Sequence, residues 1–184
     1  DPVEDVLVHD YSLIANDPEV DIVVETMGGV HPAYEFVKEA LEKGKSVCSS
    51  NKELVAAHGA ELLKVAKANH VNFFFEASVG GGIPIIRPLN DCLTVDEIEK
   101  ISGILNGTTN YILTKMTEDG SDFESVLKEA QALGYAERNP EADVEGYDAC
   151  RKIAILTSIA YGKQVSYEDI YTEGITKITA TDFV

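Results

Sequence analysis

A strand–helix rhythm that sets in at Asp21 constrains the fold more than any other feature of the chain. "DIVVETM" is a short β-branched run, and "GGVHP" interrupts it. "AYEFVKEALEKG" then places Tyr34, Val37, Ala40 and Leu41 on one helical face and stops at Gly44, a residue suited to the position just past a helix. "KSVCSS" reads as a second strand. "NKELVAAHGAELLKVAKANH" reads as a second helix, with Leu54, Val55, Ala57, Leu62, Val65 and Ala66 as its apolar stripe. "VNFFFEAS" is a third strand, apolar on both faces, as expected of a parallel strand covered by helices. Alternation at this pitch requires parallel pairing through crossovers, so the first expectation is part of a doubly wound α/β sheet.

After "VGGGIPI" the rhythm changes. "IPIIRPLNDCL" predicts a short helix, and "EIEKISGIL" a strand that runs into Asn106-Gly107. "TNYILTKMTEDG" and "DFESVLKEAQALG" predict helices, the second with Phe123, Val126, Leu127 and Ala130 on one face and Gly134 as its stop. "YAERNPEADVEG" is polar and loop-like. "YDACRKIAILTSIAYG" carries Ala149, Ile153, Leu156, Ile159 and Ala160 at helical spacing, and Ser166 is placed to cap a short turn over "SYEDI". "ITKITATDFV" alternates as a strand would. A second lobe of sheet and helices is therefore expected. Within it, "ILNGTTNYIL" taken alone offers a hairpin, because Asn-Gly between apolar runs is the strongest short-range hairpin signal. The helical run that follows turns it into a strand-to-helix junction, with Gly107 making the turn and Thr108 or Thr109 as the cap.

The charge balance narrows the partners. Fifteen basic against thirty-two acidic residues leave a formal net charge of −17 over 184 residues. That balance repels a phosphate backbone and argues against a nucleic-acid partner. A phosphorylated small molecule would need a local group of Lys and Arg to override the global field. Cys48, Cys92 and Cys150 are far apart and form no CxxC pair, which fits buried or half-buried free thiols in a reducing compartment rather than a zinc site. No apolar run is long enough to span a membrane and no secretory pattern is present, so the expectation is a cytoplasmic protein with no membrane partner.

Four constellations could carry chemistry. "ETMGG", Glu25 to Gly29, follows a strand, where open α/β sheets bind their ligands; it is either a plain βα turn or a backbone approach for a ligand. "SSNKE" opens a helix, with Ser50 or Asn51 as cap and Glu53 in the first turn. Lys52 is the misfit there, since the helix dipole disfavours a cation; it is either solvated or aimed at an anionic ligand. "EASVGGGIPI" is either a hinge or a segment whose backbone groups hold an ion. In "GYAERNPEADVEGYDACRK", Asp148 and Lys152 are four apart and share a helical face. They form either a surface ion pair or the wall of a crevice, in which lysine is a proton donor and the carboxylates hold an ammonium group.

Five ordered motifs, "SSNKE", "EASVGGGIP", "NGTTNYI", "LGYAE-x-x-P-x-x-D" and "G-x-D-A-x-RK", resemble homoserine dehydrogenase from about Asp21 to about Gly174. That family interconverts aspartate 4-semialdehyde and homoserine with NAD or NADP, in the biosynthesis of threonine, methionine and isoleucine. The resemblance implies a partial Rossmann-type parallel sheet followed by an α+β catalytic and dimerisation lobe, with residues 1–84 as the C-terminal part of a dinucleotide-binding domain and 85–184 as the second lobe. It implies Lys152 and Lys52 as catalytic, and Glu137, Asp148 and Asp143 as substrate-binding. Thr26, Lys52 and Gly134 would meet the cofactor, and Glu76, Val79, Gly81 and Ile83 would hold a monovalent cation such as sodium, largely through carbonyls. A homodimer through the second lobe is the family's expectation. The departure is equally plain. The family's G-x-G-x-x-G phosphate loop has no counterpart here, and by the resemblance the last strands of the second lobe would lie beyond Val184, so the sequence reads as the middle of a longer chain. A non-catalytic dimerisation module is the alternative, and a different amino-acid dehydrogenase is a third reading.

Overall fold

Val23 pairs with Val47, and Val47 with Phe73, in the computed structural model, which describes residues 3–183. The chain divides into two compact units, residues 1–93 and 94–184.

The first unit begins with a 3₁₀ turn, Glu4–Val6, and α1, Tyr11–Ala15, whose N-terminus is capped by Asp10 accepting from Ser12 N. The sheet then forms in sequence order from β1 (Ile22–Glu25), β2 (Ser46–Ser49) and β3 (Phe73–Phe74), all parallel. Between them run α2, Ala33–Glu42, and α3, Lys52–Ala68. Gly44 follows α2 at φ +77°, the left-handed conformation that ends a helix at little cost for glycine. The next residue, Lys45, is buried, and its ammonium is satisfied by the carbonyls of Asp17 (2.5 Å) and Val20 (2.7 Å).

Val37, Ala40 and Leu41 of α2 and Leu54, Leu62 and Ala66 of α3 are buried together with Val47 and Phe73. The opposite face of the sheet is different. Ile22 is 61% exposed, Val24 68% and Phe74 58%, which corrects the expectation of a strand covered on both sides. The reason is topological. Successive crossovers that add strands in one direction share a hand, and so place both helices on the same side. Strand alternation and the register Val24–Cys48–Phe74 put the remaining apolar residues on the other side. β3 is short because a 3₁₀ turn, Glu76–Ser78, takes over at once. The unit closes with α4, Ile86–Asp91.

The second unit contains α5 (Gly107–Asp119), α6 (Phe123–Ala132), α7 (Glu141–Val144) and α8 (Tyr147–Tyr161). Ile112, Met116, Val126, Ala130, Ala136 and Val144 form its core. Two expected strands do not form. Residues 97–105 lie outside any helix or strand, and the segment after Ile178 closes in a 3₁₀ turn, Ala180–Asp182, behind a Thr179–Asp182 capping box. A strand exists only through a neighbour's N–H and C=O groups, and among the described residues this unit offers neither segment such a neighbour. The junction at Asn106 also differs from expectation. Asn106 itself is the cap, accepting from Thr109 N at 2.8 Å, and Gly107 is the first helical residue. Asparagine ranks with serine and aspartate at this position, above the threonines that follow it. Of Ser50 and Asn51, both open as caps of α3, Asn51 takes the position, and Ser166 caps its turn as expected. Cys48 is half-buried and Cys150 buried, whereas Cys92 is exposed, contrary to expectation.

The turn before α8 is clamped by backbone. Ile175 N donates to Val144 O at 2.8 Å, and a Cβ on Gly174 would collide with Val144 O and approach Glu145 Cα to 2.6 Å. Gly174→Ala is therefore expected to destabilise the unit by about 1–3 kcal/mol, the usual cost of overpacking. Gly103→Ala, where nothing lies within 4 Å of the added carbon, serves as the neutral control; denaturant titration of the two variants checks both.

Candidate active site

α8 places Asp148 in its first turn, where the helix dipole favours a carboxylate, and Lys152 one turn later on the same face. The pair is an ion pair at 2.8 Å, and it is not on the surface: the side chains of Asp148 and Lys152 are 3% and 13% exposed. Taking two charges out of water is costly unless hydrogen bonds replace the lost solvation. They do so here. Lys152 Nζ also donates to the Leu105 carbonyl at 2.8 Å. Asn106 Nδ2 donates to Asp148 Oδ2 at 2.9 Å and to Asp143 Oδ1 at 2.7 Å. The other end of the same amide, Oδ1, takes Thr109 N as the cap of α5 and Thr109 Oγ1 at 3.1 Å. This orientation of the amide is forced, because the reverse would aim an oxygen at two carboxylates.

On the first turns of α5, an open cavity of about 590 Å³ is lined by Gly107, Thr108, Tyr111 and Lys115 together with Gly134 and Tyr135. Thr108 Oγ1 donates to Tyr135 O (2.8 Å), and the Tyr111 and Tyr135 rings stack at 4.8 Å. Tyr111 also donates to Glu129 at 2.7 Å, which raises its phenol above the ordinary value. Gly134, at φ +80°, is where the chain turns from α6 into this wall. Glu137 lies exposed on the loop beyond, its backbone carbonyl accepting from Gln131. Of the acidic residues singled out in sequence, the structure thus gathers Asp143 and Asp148 around Asn106 and leaves Glu137 outside that network.

In the first unit the strand ends carry a second polar knot. Glu25, the last residue of β1, is 4% exposed. Its carboxylate accepts from Met27 N (2.6 Å), Ser49 Oγ (2.5 Å) and Asn51 Nδ2 (3.5 Å). Asn51 also donates to Gly29 O (2.7 Å) and caps α3 by accepting from Leu54 N (3.1 Å). The loop 26–29 is thus pinned at both ends. Thr26 is exposed on that loop, and Lys52 follows the cap as the first residue of α3, half-buried. Asn106, Glu25 and Ser49 lie inside motifs that the sequence singled out, but none of the three was given a role of its own. The signals were an asparagine at a helix start and a charged residue ending an apolar strand.

Glu76 anchors α4: its carboxylate accepts from the amides of Ile85 (2.5 Å), Ile86 (2.7 Å) and Arg87 (2.8 Å). Val79 is buried, whereas Gly81 and Ile83 are exposed. Among the described residues no group of three or more His, Cys, Asp or Glu side chains is placed to hold a metal ion, so a cation on this segment would need backbone carbonyls. Among them, too, no helix is long and apolar enough to cross a membrane.

Comparison with known proteins gives a consistent result. Residues 84–184 match the family model described as homoserine dehydrogenase, and residues 3–76 match that of the homoserine dehydrogenase NAD binding domain. The homoserine dehydrogenase of Mycobacterium tuberculosis is 50% identical over 182 residues, 99% of this chain and 41% of the relative. That of Bacillus subtilis is 48% identical over 179 residues, 97% of this chain and 41% of the relative. Among solved structures, a homoserine dehydrogenase from Thiobacillus denitrificans superposes with a TM-score of 0.92 at 49% identity, over 96% of this chain and 41% of that one. A hyperthermophilic archaeal homoserine dehydrogenase in complex with NADPH gives 0.83 at 34% identity, over 92% and 52%. The chain thus spans about two-fifths of the length of the curated relatives it matches.

Glu76 gives this half of the molecule a pH signature. Burial pushes its carboxyl up, but the amides of Ile85, Arg87 and Ile86 and the Arg87 charge outweigh it and hold the group below its ordinary value. A group depressed on folding contributes stability above its unfolded value, and that contribution fades as pH falls through the folded value. Glu76→Gln is therefore expected to melt below the wild type near neutral pH, with the gap closing in acid; thermal melts across the acid range check it.

Proposed function

This chain belongs to the homoserine dehydrogenase family, and we propose that it carries the reaction centre of an enzyme interconverting L-aspartate 4-semialdehyde and L-homoserine with NADH or NADPH. The observation that carries the proposal is the buried Asp148–Lys152 pair, with Asn106 and Asp143 completing it. A carbonyl that becomes an alcohol needs a proton at its oxygen as the electron pair arrives there, and a positioned ammonium group supplies it. Lys152 is assigned that proton. Asp148 orients the ammonium, and Asp143 and Asp148, together with Glu137, are assigned to the substrate's amino group. The nicotinamide, when bound, supplies the hydride equivalent for the carbonyl carbon.

The first unit fits the cofactor. The carboxyl ends of parallel strands are where open α/β sheets take nucleotides. Here they present Thr26 and Lys52, with an open backbone at Gly28, where nothing lies within 4 Å of an added Cβ. Thr26, Lys52 and Gly134 are assigned to cofactor binding, and Lys52 also to catalysis. Residues 1–84 are read as the cofactor-side domain and 85–184 as the catalytic and dimerisation domain of a cytoplasmic homodimer. The Glu76–Ile83 segment is assigned to a monovalent cation.

Replacing Lys152 with Ala in the full-length protein is expected to lower kcat by about 10²- to 10⁴-fold, the usual worth of a positioned general acid, with a smaller change in KM. Initial rates of semialdehyde reduction check this, and turnover within a few fold of wild type overturns the assignment.

A further inference from the structure

Lys152 has two hydrogen-bond acceptors, Asp148 Oδ2 and the carbonyl of Leu105, and one residue fixes both. Asn106 follows Leu105 in the chain, so locking Asn106 as the cap of α5 also sets the direction of the Leu105 carbonyl. The same side chain donates both amide hydrogens outward, to Asp148 and Asp143. Two carboxylates this close repel each other, and a neutral group with two donors lowers that cost while sharing Asp148 Oδ2 with Lys152, an oxygen that can accept both bonds. An aspartate here would keep the cap but bring a third anion, and a serine would keep the cap but lose the paired donors. Asn106 is 8% exposed, so water is a poor substitute for either bond.

We propose that Asn106 is the positioning residue of the Lys152 centre, joining the start of α5 to the two carboxylates so that the ammonium is held at a fixed place and direction. The proposal rests on the functional reading above and deepens it. Asn106 touches no reacting atom in this role. It acts through Asp148, Asp143 and the Leu105 carbonyl.

The cap and the positioning role separate experimentally. Asp and Ser retain a side-chain acceptor for Thr109 N, so a residue that mattered only as a cap would tolerate both. In the full-length protein, Asn106→Asp and Asn106→Ser are expected to lower kcat by about 100-fold, the scale of a misplaced reacting group, while KM for NADPH stays within about two-fold and Asn106→Ser still unfolds cooperatively, at a lower temperature than the wild type because two buried bonds are lost. Should Asn106→Asp not fold, Asn106→Ser carries the test. Either folded variant with kcat within two-fold of wild type overturns the proposal. A second readout does not need turnover. The rate at which an acylating reagent labels Lys152, followed by mass spectrometry, is expected to rise at least five-fold in Asn106→Ser, because the ammonium loses its fixed partners. Unchanged labelling overturns the positioning role. If the wild type reduces no semialdehyde yet the labelling rises, the functional reading fails and the positioning stands.

Discussion

A lysine ammonium and an aspartate carboxylate 2.8 Å apart, both largely withdrawn from water, set the terms for the second unit. Removing one partner of such a pair leaves an uncompensated charge and costs about 3–5 kcal/mol. The surrounding elements are arranged so that neither charge is left alone. α8 contributes both members at i and i+4, α5 contributes its cap residue and the carbonyl before it, and the short α7 brings Asp143. The backbone clamp between Val144 and Ile175, with glycines at 146 and 174, holds the turn that leads into α8. The fold of this unit and the chemistry proposed for it therefore share the same residues.

The first unit uses a related device at its strand ends. Asn51, like Asn106, caps a helix with its oxygen and turns its amide toward a buried carboxylate. In each case a residue assigned a role stands beside the cap. Lys52 follows Asn51 directly, and Lys152 bonds to the carbonyl that precedes Asn106. An asparagine suits this task because its two ends are chemically opposite. Its oxygen answers the unsatisfied N–H groups of a helix start, and its nitrogen answers an anion.

Much of this was legible in the sequence where the signal is local and periodic. The order of β1, α2, β2, α3 and β3, the stop at Gly44 and the i,i+4 placement of Asp148 and Lys152 follow from β-branched runs, a 3.6-residue stripe and simple spacing. What was not legible depends on partners distant in the chain. The burial of Asp148 and Lys152 is invisible to spacing, which could equally describe a surface pair. The strands expected over 97–105 and near the C-terminus had apolar alternation but no neighbour to bond with among the described residues. The bare face of Ile22, Val24 and Phe74 follows from crossover handedness rather than from strand composition. Asn106 looked like half of a turn signal, because its amide bonds reach residues 37 and 42 positions away.

The proposed centre requires Asp148 and Lys152 to act as one unit, which a double-mutant cycle on kcat/KM in the full-length protein tests directly. With Asp148→Asn, Lys152→Met and the two combined, groups acting as a unit give strong non-additivity. The predicted result is a double variant no slower than the worse single one. Losses that simply multiply would show that the two residues act independently, and would contradict the central role given to their pairing.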